Sequence, residues 1–464
     1  MPETGDGPAA IVTMPTENPP LRIAVIGSGI SGMSAAWLLS ERHRVTVYEK
    51  DSRLGGHTNT VAVTGPRGEI AVDTGFIVYN EPAYPNLTAL FRHLRVPTKA
   101  SDMSFAVSLD DGGFEYAGTD LNGLFAQRSN LVSPRFWSML MDLRRFYRDA
   151  TRDALSLGTM SLGDYLARHR FGTAFRDDHL LPMAAAIWSA PSRTLLDYPA
   201  TSFIRFCDNH GLLRISGRPV WRTVAGGART YIEALTARYA DRIRLGRGAT
   251  AVARTVQGVR VRDASGAVED FDHVVLACHG DEALALLDDA DQHETTGLGA
   301  FRYSRNRALL HRDPGLMPKR QRVWASWNYL GGRTTAATTR DLCVTYWMNR
   351  LQGIPDDQPL FVTLNPVREP APGTVIREEL YDHPIFDAGA LVAQQRVWSR
   401  QGARNTWFCG AHFGSGFHED GLQAGLAVAE RLGGVRRPWN VAGESDRVPR
   451  FAAVAPTPVL ESVS

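Results

Sequence analysis

A chain of 464 residues is too long for one compact core, so two or more structural domains are expected. Hydrophobic residues at 44% and charged residues at 22% are the proportions of an ordinary globular protein, and a formal charge of +2 gives no argument for nucleic acid as a partner. The four cysteines, Cys207, Cys278, Cys343 and Cys409, lie far apart and form no C-x-x-C, which reads as free thiols in a reducing, cytoplasmic setting with no metal site.

Residues 1–20 have neither the basic start nor the apolar core of a secretory signal and are read as a disordered leader. No uninterrupted apolar run is long enough to span a membrane. The run from Ile23 to Ile26 predicts a buried parallel strand, which stops at Gly27-Ser28-Gly29-Ile30-Ser31-Gly32, a G-x-G-x-x-G turn. Ile30, Met33, Ala36, Trp37 and Leu39 then recur at helical spacing, and a second strand from Val45 to Tyr48 ends on the acid Glu49. Each part has a role in holding a dinucleotide. Gly27 permits a tight turn, Gly29 lets a pyrophosphate approach the backbone, and Gly32 lets helix and strand pack closely. The phosphates rest on unpaired N–H groups at the helix N-terminus, and the carboxylate of Glu49 accepts hydrogen bonds from a ribose.

Beyond this unit, Thr60–Val63 and Glu69–Asp73 flank Thr64-Gly65-Pro66-Arg67-Gly68 as a hairpin. From Phe76 to about Val220 the pattern turns to helices and aromatic-rich loops, with helices expected over Pro85–Leu94, Ser133–Asp149, from Ser161, and over His179–Ala190 up to Pro191. The 133–149 helix carries Phe136, Trp137, Leu140, Leu143 and Phe146 beside Arg144, Arg145 and Arg148. Core packing with a solvated basic face and a membrane-surface helix both fit that pattern. Gly226-Gly227 leads into the stretch Thr230–Tyr239, followed by strands at Ile243–Leu245, Ala249–Val256, Gly258–Val261 and Asp272–Ala277. Further strands are expected at Val323–Tyr329, Cys343–Trp347, Leu360–Leu364 and Asn405–Gly410, then a helix from about Gly421 to Leu432 and a partly ordered tail.

At Arg53-Leu54-Gly55-Gly56-His57-Thr58 the chain resembles the flavin-containing amine oxidase superfamily, which carries G-x-G-x-x-G, an acid, R-x-G-G and a C-terminal flavin motif. The resemblance implies FAD as cofactor. Its fold is then α/β, a discontinuous Rossmann-like FAD-binding domain (21–75, 226–281 and 402–435) with an inserted α+β substrate domain (76–225 and 282–401) and a tail over 436–464. An Arg beside two glycines offers a cation and bare amides to the diphosphate. The FAD contacts so implied are Gly27, Gly29, Ile30, Ser31, Gly32, Glu49, Lys50, Arg53, Leu54, Gly55, Gly56, His57 and Thr58 in the first segment. In the middle segment Val252 is the adenine contact, and at the end Gly410, Gly421 and Leu422 complete the set.

Gly55-Gly56-His57-Thr58-Asn59-Thr60, the run from Trp324 to Tyr329 and that from Gly410 to Gly421 look most like bacterial NAD/FAD-binding proteins whose genes lie near cyclopropane-fatty-acid-synthase-like methyltransferases. That likeness implies a lipid acyl chain as substrate. The superfamily also has departures here: Ala411 and His412 stand where an acid is usual, and the chain has only three lysines, Lys50, Lys99 and Lys319, for the amine oxidases' lysine near the flavin. His57, His412 and His418 are the candidate catalytic residues, placed to move a proton or to stabilise reduced flavin; bonding to loop backbone is the alternative for each. His418-Glu419-Asp420 is not expected to hold a metal, because three consecutive residues do not converge on one ion. Three functions remain open: oxidation or isomerisation of a lipid chain, oxidation of a small amine, and a non-catalytic FAD-binding partner with peripheral membrane contact. Oligomeric state is left open.

Overall fold

The computed structural model describes residues 19–66, 68–189, 192–332 and 343–451. The apolar run near the start forms the strand Arg22–Ile26, which pairs in parallel with Arg44–Tyr48 on one side and His273–Leu276 on the other. Thr406–Phe408 adds in parallel beside 273–276 and Ile243–Arg244 beside 44–48, giving a five-stranded parallel sheet built from three distant parts of the chain. Ile23, Ala24, Val25, Val45, Val47, Val274 and Val275 are fully buried in it, as strands covered on both faces require.

Two helices pack on this sheet and on each other, Ile30–Leu39 and His418–Arg431. Their approach depends on Gly425, where a Cβ would lie 2.2 Å from the Ser31 carbonyl oxygen, and on Gly421, where it would lie 2.9 Å from Ile30. The second helix starts at His418, three residues before the sequence expectation. Asp420 causes this: its Oδ2 accepts from the backbone N–H groups of Phe417 (2.8 Å) and Ser415 (3.1 Å), so the acid organises the turn that opens the helix.

A second sheet of seven strands runs in the order 375–385, 302–311, 361–364, 343–347, 327–331, 105–109, 114–117, antiparallel except for the 327–331/105–109 pair. Helices Pro134–Asp153, Leu181–Trp188 and Ala200–Asn209 cover it through a common core that includes Phe136, Phe146, Phe203, Val344 and Val362. The expected strand over 323–329 begins only at Trp327. Gln321–Val323 is a 3₁₀ turn, and the Asn328 side chain bonds both the N–H (2.9 Å) and the carbonyl (2.6 Å) of Ala325, closing a loop there.

The 134–153 helix is capped by Ser133 and buries Phe136, Met139, Phe146 and Ala150, while Trp137 and Met141 stay exposed. Arg176–Leu180 is a π-helical turn that runs into 181–188; the expected end at Ala190–Pro191, like Arg67 of the first hairpin and residues 1–18, lies outside the described residues. The tail to residue 451 is held more firmly than its composition implies. Trp439 stacks on Trp37 (5.9 Å, 13°), and buried Arg437 bonds Glu430 and Asn86. No helix among the described residues is long and apolar enough to cross a membrane.

Candidate FAD site and substrate chamber

A cavity of about 1100 Å³ lies against both sheets, running from the Gly27–Ser31 turn to an aromatic end at Trp188, Phe206 and Trp327. Its first end is made by the glycine turn. Gly27 has φ +101°, and a Cβ there would sit 2.9 Å from the Ala277 carbonyl oxygen. Gly32 packs tighter still, with a virtual Cβ 2.0 Å from the Gly27 carbonyl oxygen, whereas a Cβ on Gly29 would meet nothing within 4 Å and face the cavity. These are the three roles a dinucleotide turn assigns to its glycines, and the open space at Gly29 fits a diphosphate. Glu49 is buried: its Oε2 accepts from Ser28 N (2.9 Å) and Ser28 Oγ (2.5 Å), and its Oε1 from Asp51 N (2.9 Å). Arg53 Nη1 donates to the Gly56 carbonyl (2.8 Å), so the guanidinium clips its own loop at the cavity edge. Lys50 borders the same end and pairs with Glu282 (2.5 Å).

The middle of the cavity is a histidine cluster. The His57 ring lies 5.0 Å from Tyr381, 5.2 Å from His383 and 6.4 Å from His279. A chain of amides fixes the His383 tautomer. Arg307 N–H donates to Asn365 Oδ1 (2.9 Å), Asn365 Nδ2 to Asn306 Oδ1 (2.7 Å), and Asn306 Nδ2 to His383 Nδ1 (2.9 Å). Nδ1 is therefore the acceptor and the proton sits on Nε2. His418, in the first turn of its helix, stacks on Phe76 (3.9 Å, 9°); its Nε2 meets Tyr231 OH at 2.7 Å and Thr58 Oγ1 at 3.2 Å. His412 packs among Phe301 and Phe413, each with its ring centre at 4.5 Å.

Burial disfavours the charged imidazole at every one of these positions. It pulls His412 and His418 down to about 3 and His383 to about 4, and holds His57 well below the ordinary histidine range, with the neighbouring histidines adding to the effect at His57, His383 and His412. At neutral pH the cluster is uncharged. The two acids after His418 are committed to structure. Glu419 accepts from Asn86 N (3.0 Å), Leu87 N (2.9 Å) and Asn86 Nδ2 (2.8 Å) at the start of helix Pro85–His93, and Asp420 pairs with Arg447 (3.3 Å). No group of three metal-ligating side chains occurs among the described residues.

The far end is aromatic. Phe206 stacks on His210 (3.9 Å) and Phe417 (4.5 Å) and meets Trp188 at 4.6 Å, and Trp327 packs edge-on against Tyr346 (4.9 Å).

A model of the family described as flavin containing amine oxidoreductase matches residues 30–433. The chain belongs to that family. Its cofactor is FAD and it is an FAD-dependent oxidoreductase of the amine oxidase superfamily. No curated protein matches the sequence. Among solved structures it is similar to putrescine oxidase bound to putrescine (14% identity, TM-score 0.63, covering 89% of this chain and 99% of that one). It is also similar to a CLA-producing fatty acid isomerase from P. acnes (16%, TM-score 0.62, 89% and 98%) and to cyclohexylamine oxidase from Brevibacterium oxydans (16%, TM-score 0.63, 89% and 100%). At these identities the likeness shows the fold.

Of the expected FAD contacts, Gly27, Gly29, Ile30, Ser31, Glu49, Lys50, Arg53, Gly55, Gly56, His57 and Gly410 line the cavity, as do His412 and His418. Gly32, Leu54, Thr58, Val252, Gly421 and Leu422 do not. Val252 is wholly buried, and its carbonyl accepts from Asp288 N (3.2 Å); Gly248 and Ala249, earlier in the same stretch, line the cavity. Gly421 and Leu422 serve the packing of the last helix, and Thr58 lies behind His418. His279, Tyr381, His383 and Tyr231 were not legible as site residues, because each is brought in by an element distant in sequence and carries no local motif.

Proposed function

We propose that the enzyme oxidises an uncharged, chain-like substrate, a lipid acyl chain, in the aromatic end of the cavity. One observation carries this reading. Trp188, Phe206, Trp221, Trp327, Tyr346 and Phe417 line that end with aromatic surface, and the carboxylates that line the cavity from strand 375–385, Glu378, Glu379 and Asp382, pair with Arg307, Arg377 and Arg305. The lysines agree. Lys50 is at the ribose end, Lys319 pairs with Asp111 (2.5 Å) away from the cavity, and Lys99 does not line it.

FAD, when bound, supplies a two-electron acceptor that takes a hydride. The chain's own residues do the rest. The aromatic walls exclude water and align an extended chain. Tyr231 and Thr58 hold the His418 ring at the cavity wall, and His57 lines the same cavity with its Nε2 free of any hydrogen-bond partner. The test is anaerobic mixing of the FAD-loaded enzyme with unsaturated acyl lipids and, separately, with amines, following the flavin absorbance and the products. Bleaching by acyl lipids supports the reading; bleaching by amines alone overturns it. A rearranged double bond without net bleaching assigns isomerisation in the same chamber.

A further inference from the structure

A second cavity of about 300 Å³ shares Met103, His210, Leu212 and Trp221 with the aromatic chamber and continues it outward beneath the segment 214–220. That segment, Arg214-Ile215-Ser216-Gly217-Arg218-Pro219-Val220, contains no acid and turns its apolar residues out: Ile215 is 74% and Val220 63% exposed. Arg214 and Arg218 are exposed and form no ion pair among the described residues; Arg218 Nε donates to the Arg214 carbonyl (2.6 Å), which holds it beside the opening. The acid at this opening, Asp102, is already met by Ser104 N (3.0 Å), Ser326 Oγ (2.6 Å) and Arg350 (3.6 Å).

Helix 200–209, which leads into this segment, packs on helix 134–153. The outer stripe of that helix exposes Trp137 and Met141, with Arg144 following at helical spacing. Arg148 and Arg152 are offset by Asp149 and add no net charge. Exposed Ile215 and Val220 beside unpaired Arg214 and Arg218, with a passage to the aromatic chamber opening beneath them, form a surface of the kind that enters the headgroup layer of a bilayer.

We propose that this face docks on an anionic phospholipid bilayer, with the 214–220 segment in the headgroups and the opening beneath it admitting the substrate chain from the leaflet. The route of entry rests on the acyl-chain reading above, whereas docking itself does not. Two unpaired arginines near an anionic surface make a combined contribution of about thirty-fold in partitioning, and burying two aliphatic side chains contributes about ten-fold or more.

The test is sedimentation of the full-length, FAD-loaded enzyme with vesicles of phosphatidylglycerol and phosphatidylcholine, or of phosphatidylcholine alone. The wild type is expected on the anionic vesicles and to be released by salt. Arg214→Ser/Arg218→Ser and Ile215→Ser/Val220→Ser each reduce binding by about the factors given. Val256→Ser, at a fully exposed aliphatic residue on the 249–263 hairpin, leaves it unchanged. FAD absorbance and thermal melting confirm that every variant is folded. Absence of wild-type binding overturns the proposal, as does equal loss in Val256→Ser. Concentration-dependent self-association abolished by the same double variants also overturns it and assigns the face to a second copy of the chain. Turnover of detergent-dispersed substrate is measured in parallel, so that loss of docking and failure of the acyl-chain reading are told apart.

Discussion

Gly29 and Gly32 belong to one motif, and the structure separates what each does. Gly29 sits at φ −66°, ψ 175°, a conformation any residue adopts, and a methyl group there would meet nothing within 4 Å. Gly29→Ala therefore costs the empty protein nothing and, by restricting the unfolded chain, stabilises it by about 0.4–1 kcal/mol. The methyl group does project into the space the diphosphate must occupy. Displacing the phosphate from even one N–H group removes a charge-assisted hydrogen bond of about 1.5–3 kcal/mol, which is a loss of about 10- to 150-fold in FAD affinity.

Gly32→Ala behaves oppositely. Its Cβ would lie 2.0 Å from the Gly27 carbonyl oxygen and 3.0 Å from Ala277 Cβ, so backbone must move. Overpacking of this kind costs about 1–3 kcal/mol, against about 1 kcal/mol gained in helix propensity, and it destabilises the apoprotein. The assay is urea unfolding of both apoproteins together with FAD titration by fluorescence quenching. A Gly29→Ala apoprotein that unfolds earlier than wild type, or one that binds FAD with wild-type affinity, refutes the reasoning.

Other outcomes follow from the site. His412 has its folded-state pKa depressed from 6.5 to about 3, so its contribution to stability is complete above pH 6.5 and is lost as the pH falls toward 3, at about 1.4 kcal/mol per pH unit. His412→Phe, in a site already flanked by Phe301 and Phe413, is expected to flatten the fall of the unfolding free energy from urea titrations between pH 6.5 and 5 by about that amount, and an unchanged slope would disprove the assignment. Tyr231→Phe removes the hydroxyl shared by His418 (2.7 Å) and Thr58 (2.5 Å). It is expected to lower stability by about 1–3 kcal/mol in equilibrium unfolding, since two bonds are lost and Thr58 stays buried. Lys319→Ala leaves the rate of flavin reduction in stopped-flow mixing unchanged, because its ammonium group is exposed and paired with Asp111. A large loss of rate there would restore the amine oxidase arrangement.

Local requirements made the cofactor end readable. A positive φ at Gly27, a close approach at Gly32 and an acid closing the second strand are properties of consecutive residues, and the pattern of the sequence specifies them without reference to anything distant. The parallel sheet was legible for a similar reason, since strands buried on both faces must be written as unbroken apolar runs. The glycines of the last helix show where this stops. Gly421 and Gly425 allow two helices to approach, a demand set by the partner helix and not by their neighbours in sequence.

The same limit applies to the chemistry. His383 becomes a fixed donor only because Asn365 and Asn306 relay a hydrogen bond from Arg307, and His418 is oriented by Tyr231, 187 residues away. The aromatic chamber brings together side chains from helices 181–188 and 200–209, strands 327–331 and 343–347, and the turn at Phe417. By itself the sequence determined the dinucleotide turn, because Gly27, Gly32 and Glu49 act on neighbours along the chain, and the resemblance it carries implied FAD. Tertiary structure alone decided what the chamber beside it can accept, because its walls meet only when two sheets and their helices pack.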